Sequence, residues 1–432
     1  MSRSNAYKQE AVYIVDGART PFLKARGKPG IFSASELAVA AGRDLLARQP
    51  FAPDALDEVV VGCAMPSADE PNIGRLIALR LGAGDATPGY TVMRNCASAM
   101  QAVDNAAKDI ALGRSDLMLA GGTEAMSRAP LLFNDDMVNF LGDLAKAKKP
   151  ADKLKAMSSF RPGHLKPVIG IMKGLTDPLV NLNMGQTCEV IAHKFDVTRK
   201  AMDEYAVRSH LRLAKAYDED RMDEVIPLYN KAKVLAEDDG LRRDSNVEKL
   251  STLKPFFDRK VGKVTAANSS QITDGSAMLL LASANAVEKY DLKPLGRLVD
   301  AQWAGLNAAE MGLGPVYVST PLLQRNNLDL SDVDYWELNE AFAGQVLACL
   351  AAWEDEAFCQ TELGLDAALG TIDQDKLNID GGAVSIGHPV GATGARLVLH
   401  ALKVLQQTGQ QRAIATLCIG GGLGGAMLLE RV

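Results

Sequence analysis

Little in this sequence invites a membrane, a structural metal or a nucleic acid. No apolar run approaches the roughly 18 residues needed to cross a bilayer. The opening ten residues lack the apolar core of a secretory leader and already carry an acid at Glu10. They read as a free N-terminus running into a first strand at 11–15. The six cysteines, Cys63, Cys96, Cys188, Cys349, Cys359 and Cys418, are scattered, with no Cys-x-x-Cys pair and no histidine at zinc-ligand spacing. That argues against structural zinc and for free thiols in a reducing cytoplasm. Aromatic residues make up only 5%, too few for a stacking platform, and 47 Lys and Arg are outnumbered by 53 Asp and Glu. A net charge of −6 gives no positive field to draw in nucleic acid, so any anionic ligand must be met by local groups.

What is present is 47% hydrophobic residues over 432 positions, too long a chain for one small core and long enough for two or three domains or two fused halves. Two stretches echo one another. An acid-headed strand at 56–62 follows a helical pattern at 36–48, and a second at 333–339 follows a helical pattern at 321–326. Farther on, an amphipathic helix at 97–113 leads to a strand at 116–120 ending in Gly121-Gly122. A helix at 392–409 leads likewise to a strand at 413–418 ending in Gly420-Gly421-Gly422. Helix–strand alternation with apolar, glycine-ended strands predicts a duplicated α/β unit with mainly parallel sheets covered by helices. Between the halves, residues 127–260 are charged, helical and broken by turns, as suits a lid over a substrate. From 144 to 175 this insertion carries eight Lys and Arg against Asp152 alone. A solvated helix face accounts for that, as does contact with phosphate, anionic lipid or a partner.

Four short segments carry the chemistry. Cys96 lies between a strand-like 90–93 and the helix at 97–113, which places its sulfur near free backbone N–H groups and a positive dipole end. Such a setting lowers a thiol pKa from about 8.5 toward the reactive range, although a free cysteine is also among the most buried residue types. His388 stands among Gly387, Gly391 and Gly394, with no acid from 381 to 405, on a turn just before a helix. An imidazole held there can take a thiol proton or donate to an oxyanion. Cys418 precedes Gly420-Gly421-Gly422, and Gly420, Gly422 and Gly425 satisfy a G-x-G-x-x-G string. Only a few residues remain before Val432, too few for the crossover helix and ribose-binding acid of a dinucleotide site. A second reactive thiol and a buried structural cysteine are the remaining readings. Asn339, at the end of the strand in the second half, offers an amide that can hold a water or cap a helix.

Together these segments resemble the thiolase family over nearly the whole chain. Gly17-Ala-Arg-Thr-Pro-Phe22, Cys96-Ala-Ser98, Gly121-Gly-Thr-Glu-Ala-Met-Ser127, Met184-Gly-Gln-Thr-Cys-Glu189 and Val264 to Ser270 with Asp274-Gly275 follow in the family's order. Asn339-Glu-Ala-Phe342, Gly387-His-Pro-Val-Gly-Ala-Thr-Gly394 and Cys418-Ile-Gly-Gly-Gly422 complete the set. The resemblance implies thiolase-like duplicated α/β halves in a layered α-β-α-β-α core. Residues 1–127 with 262–287 would form the N-terminal half, 128–261 an inserted loop or lid subdomain, and 288–432 the C-terminal half.

It also implies an acetyl-CoA C-acyltransferase that cleaves 3-ketoacyl-CoA to acetyl-CoA and a shortened acyl-CoA in fatty-acid β-oxidation. Cys96 would be the acyl-accepting nucleophile, His388 its activator, and Cys418 the acid/base at the α-carbon. Asn339 would hold a water that shares the enolate oxygen with His388, and the N–H groups of Cys96 and Gly420 would hold the other oxyanion. Ser270 matches a coenzyme A contact, and Met184 and Phe342 match pocket-lining positions. No metal or organic cofactor is implied; coenzyme A is a cosubstrate. The family also implies a homodimer or homotetramer.

Departures from the pattern touch chain preference more than the reaction: Met93 stands where Asn is common, Ala99 where Gly or Ser is, and Asn183 where many members have His. The long lid is similar to the β-subunit thiolases of fatty-acid oxidation complexes, which pair with a hydratase/dehydrogenase subunit, although those usually carry His at the Asn339 position. Other readings are acetoacetyl-CoA formation by an acetyltransferase, a ketoacyl synthase, and a non-catalytic acyl-CoA or lipid carrier of the same fold. A synthase needs no second reactive cysteine, and a carrier lacks one of the four elements.

Overall fold

The computed structural model describes residues 10–432, so the expectation of a free N-terminus lies mostly outside the described residues. One continuous path of strands runs through the molecule. From one edge it passes Tyr335–Leu338, Arg412–Ile419, Leu423–Arg431 and Gly296–Gly305. It continues through Val12–Arg19, Thr273–Ala282, Leu117–Ala125 and Glu58–Gly62 to Gly89–Val92. The path folds into two sheets because only three residue pairs, Val12 to Ile14 against Leu298 to Gly296, join one half to the other.

Each half repeats the same order. Glu58–Gly62 beside Leu117–Ala125 corresponds to Tyr335–Leu338 beside Arg412–Ile419, and both pairs are parallel. The duplication expected from the sequence is therefore real. The expectation of mainly parallel sheets is corrected: three of the eight pairings along the path are parallel and the rest antiparallel. Apolar, glycine-ended strands signal burial on both faces, but that pattern carries no information on direction. Direction is set by connections, here the tight turn at Gly420 to Gly422 that sends Leu423–Arg431 straight back along Arg412–Ile419.

Three apolar cores make the layers. In the first half, Ala34–Ala47 and Ile73–Leu81 cover the outer face. Ser33 starts the former by accepting the N–H of Glu36 while the Glu36 carboxylate accepts that of Ser33, a reciprocal cap. In the second half, Gly314–Arg325 and Ala343–Glu354 do the same. Between the sheets lie two central helices, Ser98–Ala111 and Thr393–Thr408, packed on each other through Met100, Val103, Leu397 and Val398 in one shared core. This is an α-β-α-β-α sandwich. Because the two central helices are equivalent elements of the repeat, the turns that start them meet at one place.

The segment between the halves, expected to act as a lid, contains the long helix Arg199–Asp218 and a group of short elements between Leu131 and Gly174. Among the described residues no helix is long and apolar enough to cross a membrane.

Candidate active site

Cys96 sits on a strand–turn–helix elbow. Gly89–Val92 ends, Asn95 adopts a left-handed φ of 45°, and the helix Ser98–Ala111 begins. Ser98 braces the elbow, its hydroxyl donating to Asn95 O at 2.8 Å and accepting the N–H of Arg94 at 2.9 Å. The sulfur meets the backbone N–H groups of Cys96 itself and of Gly420. Asn95 Nδ2 donates to Gly420 O at 2.8 Å, so one residue of the elbow ties the Cys418 turn to it. These N–H groups pull the thiol pKa down, but burial pushes it up by more, and the net shift is upward. The lowered pKa expected from the helix terminus is therefore corrected. Desolvation of a sulfur at the bottom of a cavity outweighs two amide dipoles.

Cys418 occupies the end of Arg412–Ile419, just before a turn in which Gly421 and Gly422 have φ of 93° and 75°. Burial raises its thiol well above the ordinary value, with Cys96, Cys349 and Cys188 adding to the shift. His388 follows Gly387, whose φ of 111° suits only glycine and whose hydrogen faces the Thr273 side chain too closely for a Cβ. The His388 N–H donates to Gln271 O at 3.0 Å.

The ring of His388 has a defined orientation. Its Nδ1 lies 2.7 Å from Thr393 Oγ1, and that hydroxyl donates to Pro389 O at 3.0 Å. With its proton committed to a carbonyl, the hydroxyl can only accept from the ring, so Nδ1 carries the hydrogen and Nε2 presents a lone pair. Nε2 is buried and has no protein partner. Burial, with Arg396 assisting, lowers the imidazole pKa to about 3, which keeps it a neutral base. Thr393→Val is expected to cut kcat/KM about tenfold to a hundredfold, as losses of outer-shell histidine partners do, with Thr393→Ser close to wild type. Steady-state kinetics on the two variants checks this, and equal losses in both would remove the orienting role.

Cys96, His388 and Cys418 line one cavity of about 480 Å³, together with Ser270, Met184 and Phe342. Met184 opens the helix Met184–Lys194, capped by Asn183 with Gln186, and Phe342 stacks edge-on with Phe257. Gly420 reaches the cavity through its N–H on the sulfur. Asn339 stands apart. Its N–H holds Thr416 O at 2.9 Å, and its side chain is fully buried with both amide atoms unpartnered, but it does not line the cavity. An amide orphaned in this way fits a bridging water, since such groups are rarely left unpaired.

Several residues that shape the site had no assigned role in the sequence reading. Glu340 accepts from Tyr205, Ser209, Asn378 and the Val384 N–H, which joins the lid helix Arg199–Asp218 to the turn before His388. Lys24 and Arg242 also line the cavity, and neither reaches a described carboxylate within ion-pair distance. Burial and the neighbouring charges of Arg242 and Arg26 lower the Lys24 pKa. In the sequence they lie 218 positions apart, each beside other cations (Arg26 and Lys28, and Arg243), and no motif connects them. Two cations at a cavity wall, with Asp239 near Lys24 but in no ion pair with it, can receive an anion.

A rigid turn, two thiols and a neutral imidazole facing one apolar cavity define a cysteine-dependent group-transfer site on a duplicated α/β scaffold. The family described as "Thiolase, N-terminal domain" matches residues 12–285, and "Thiolase, C-terminal domain" matches residues 292–431. A 3-ketoacyl-CoA thiolase of Pectobacterium carotovorum is 36% identical over 98% of this chain and 97% of its own. The crystal structure of human mitochondrial 3-ketoacyl-CoA thiolase in complex with CoA superposes with a TM-score of 0.85, at 31% identity, covering all of both chains. The Bacillus anthracis acetyl-CoA acetyltransferase gives 0.84 at 33% identity, covering 99% of this chain and 100% of its own. The chain belongs to the thiolase family.

Proposed function

We propose that this chain is an acyltransferase that cleaves 3-ketoacyl-CoA with free CoA, releasing acetyl-CoA and an acyl-CoA shortened by that unit. The observation that carries the reading is the convergence of Cys96, His388 and Cys418 on one cavity, with the Cys96 sulfur against two backbone N–H groups. Because the thiol is raised and the imidazole lowered, both rest neutral, and the proton moves as attack occurs. His388 Nε2 takes the Cys96 proton while the sulfur attacks C3, and the C3 oxyanion is held by the N–H groups of Cys96 and Gly420. The C2–C3 bond then breaks, its electrons pass to the acetyl-CoA enolate, and Cys418 protonates C2. The enolate oxygen faces His388 and a water held by Asn339. Free CoA next gives its thiol proton to the Cys418 thiolate and attacks the acyl group, and His388 returns the first proton to Cys96. Two sulfurs are needed because one carries the acyl group while the other handles the carbon-bound proton.

Lys24 and Arg242 suit the diphosphate of CoA, and Ser270 its pantetheine arm. The apolar wall, with Met126, Met172, Leu175 and Phe256, favours acyl chains longer than acetoacetyl and thus the degradative role in fatty-acid β-oxidation over acetoacetyl-CoA synthesis. A homodimer or homotetramer in the cytoplasm is the assembly and setting that fit this reading. A hydratase/dehydrogenase subunit is a further partner, and size exclusion with such a subunit tests it. CoA-dependent loss of the Mg²⁺–3-ketoacyl-CoA absorbance across a chain-length series is the direct test. The expected result is turnover with kcat/KM rising by about tenfold or more from four carbons to medium chains, as each buried methylene adds about 0.8 kcal/mol. No turnover at any length would refute thiolysis, and a maximum at four carbons would refute the degradative preference alone.

A further inference from the structure

His388 and the two cavity cations are tied to one short segment. The His388 N–H donates to Gln271 O at 3.0 Å, and the Ala25 N–H, next to Lys24, donates to Ile272 O at 2.9 Å. The Gln271 side chain reaches the other way. Its Nε2 donates to Gly240 O at 2.9 Å, in the loop that carries Arg242, and to Val384 O at 3.3 Å, in the helical turn before His388. A single residue thus holds the catalytic turn by its carbonyl and its amide, and holds the Arg242 loop by the same amide nitrogen.

The fit leaves little slack. A Cβ on Gly240 would lie 2.5 Å from Gln271 Nε2, so the loop backbone rests directly on the amide. Gln271 Oε1 is buried with no partner. An acceptor forgone at that cost shows an amide placed for its donor bonds. Past Gly240, the Arg242 N–H donates to His210 Nδ1 at 3.2 Å. Burial, with the charges of Arg242 and Lys24, lowers the His210 imidazole pKa to about 4, which keeps that ring a neutral acceptor. Across the cavity, Lys24 is held below its ordinary value by burial first and by Arg242 next. An anion between the two cations removes their repulsion and draws the walls together. Lys24 stands on the wall fixed to Ile272 and Arg242 on the loop fixed to the Gln271 amide, so the pull falls on the contact between Gln271 and Gly240.

We propose that Gln271 is a positioning residue that couples an anion held by Lys24 and Arg242 to the placement of His388. The proposal rests on the reading of those two cations as the receiver of the CoA diphosphate. With the receiver filled, the loop settles on the amide, and the amide and carbonyl of Gln271 steady the turn on which His388 stands. With it empty, the repelling cations loosen the same contact. Acylation of Cys96 then runs fastest when the CoA head group is in place, which favours a CoA ester over a stray ester that lacks the diphosphate. Gln271 touches neither reacting carbon nor proton in this scheme; it acts through His388.

The test uses the full chain and 3′-phospho-ADP, which carries the diphosphate of CoA but no pantetheine arm and so leaves the cavity open. Acylation of Cys96 by p-nitrophenyl acetate, read as the burst of p-nitrophenolate, is expected to quicken about fivefold when 3′-phospho-ADP is bound. Gln271→Met keeps the backbone carbonyl and the side-chain length but loses both amide bonds. In that variant 3′-phospho-ADP should still bind, and the burst should be slower and no longer respond to it. Gly240→Ala should give the same loss of response from the other side of the contact, because its methyl group displaces the amide. A wild-type burst indifferent to bound 3′-phospho-ADP, or a response retained in both variants, would overturn the coupling and leave thiolysis standing. Failure of 3′-phospho-ADP to bind the wild type would overturn the receiver, and the coupling with it.

Discussion

Cys96→Ala is expected to yield a protein that folds, binds acyl-CoA and shows no acyl adduct by mass spectrometry, with thiolysis down by at least about 10⁴-fold. The size follows from what the sulfur does. In the proposed mechanism it is the atom that forms the carbon–sulfur bond, and it is the sulfur that lies against the N–H groups of Cys96 and Gly420. Alanine leaves those donors and the cavity wall intact, since the elbow is held by Asn95 and Ser98 rather than by the thiol. Binding of substrate should therefore change little while kcat collapses. A stable acyl adduct on the variant would place the nucleophile elsewhere.

Cys418→Ala is expected to separate the two halves of the reaction. Acylation of Cys96 by p-nitrophenyl acetate should proceed, because a phenolate of low basicity departs without an acid to protonate it. Exchange of the α-protons of acetyl-CoA with deuterated water should cease, and thiolysis should fall about 10²–10⁴-fold, the contribution of a positioned acid/base. Burial raises the Cys418 thiol well above its ordinary value. A weakly acidic thiol suits an exchange with a carbon acid, because the two proton affinities are brought closer together. If both cysteine variants lost acylation and exchange alike, the division of labour between the sulfurs would be wrong.

Much of this molecule was legible in its residues. The glycine-ended strands and paired helix–strand units announced a duplicated α/β unit, the resemblance to thiolases implied its layered form, and the sheet order repeats in the two halves. The segments around His388 and Cys418 were recognisable because each is a compact run whose glycines are demanded by a local turn, and that around Cys96 because a strand-like run passes directly into an amphipathic helix. The expected strand–helix elbow at Cys96 stands within a residue or two of its reading. Local backbone requirements leave local marks, so sequence exposes them.

What sequence did not expose depends on relations across distance. Strand direction comes from connections rather than from apolar pattern, which is why most pairings proved antiparallel. The thiol pKa of Cys96 was misjudged because the dipole acting on it is local whereas its burial is a property of the whole cavity. Thr393 fixes the His388 tautomer only because the intervening turn brings its hydroxyl between Nδ1 and Pro389 O. Lys24 and Arg242 become a pair only when the opening strand and the lid close on the same cavity. The amino-acid sequence by itself determined the repeat and which side chains could react. The tertiary structure alone decided which of them meet, how far water is excluded from them, and therefore which protonation state each one holds.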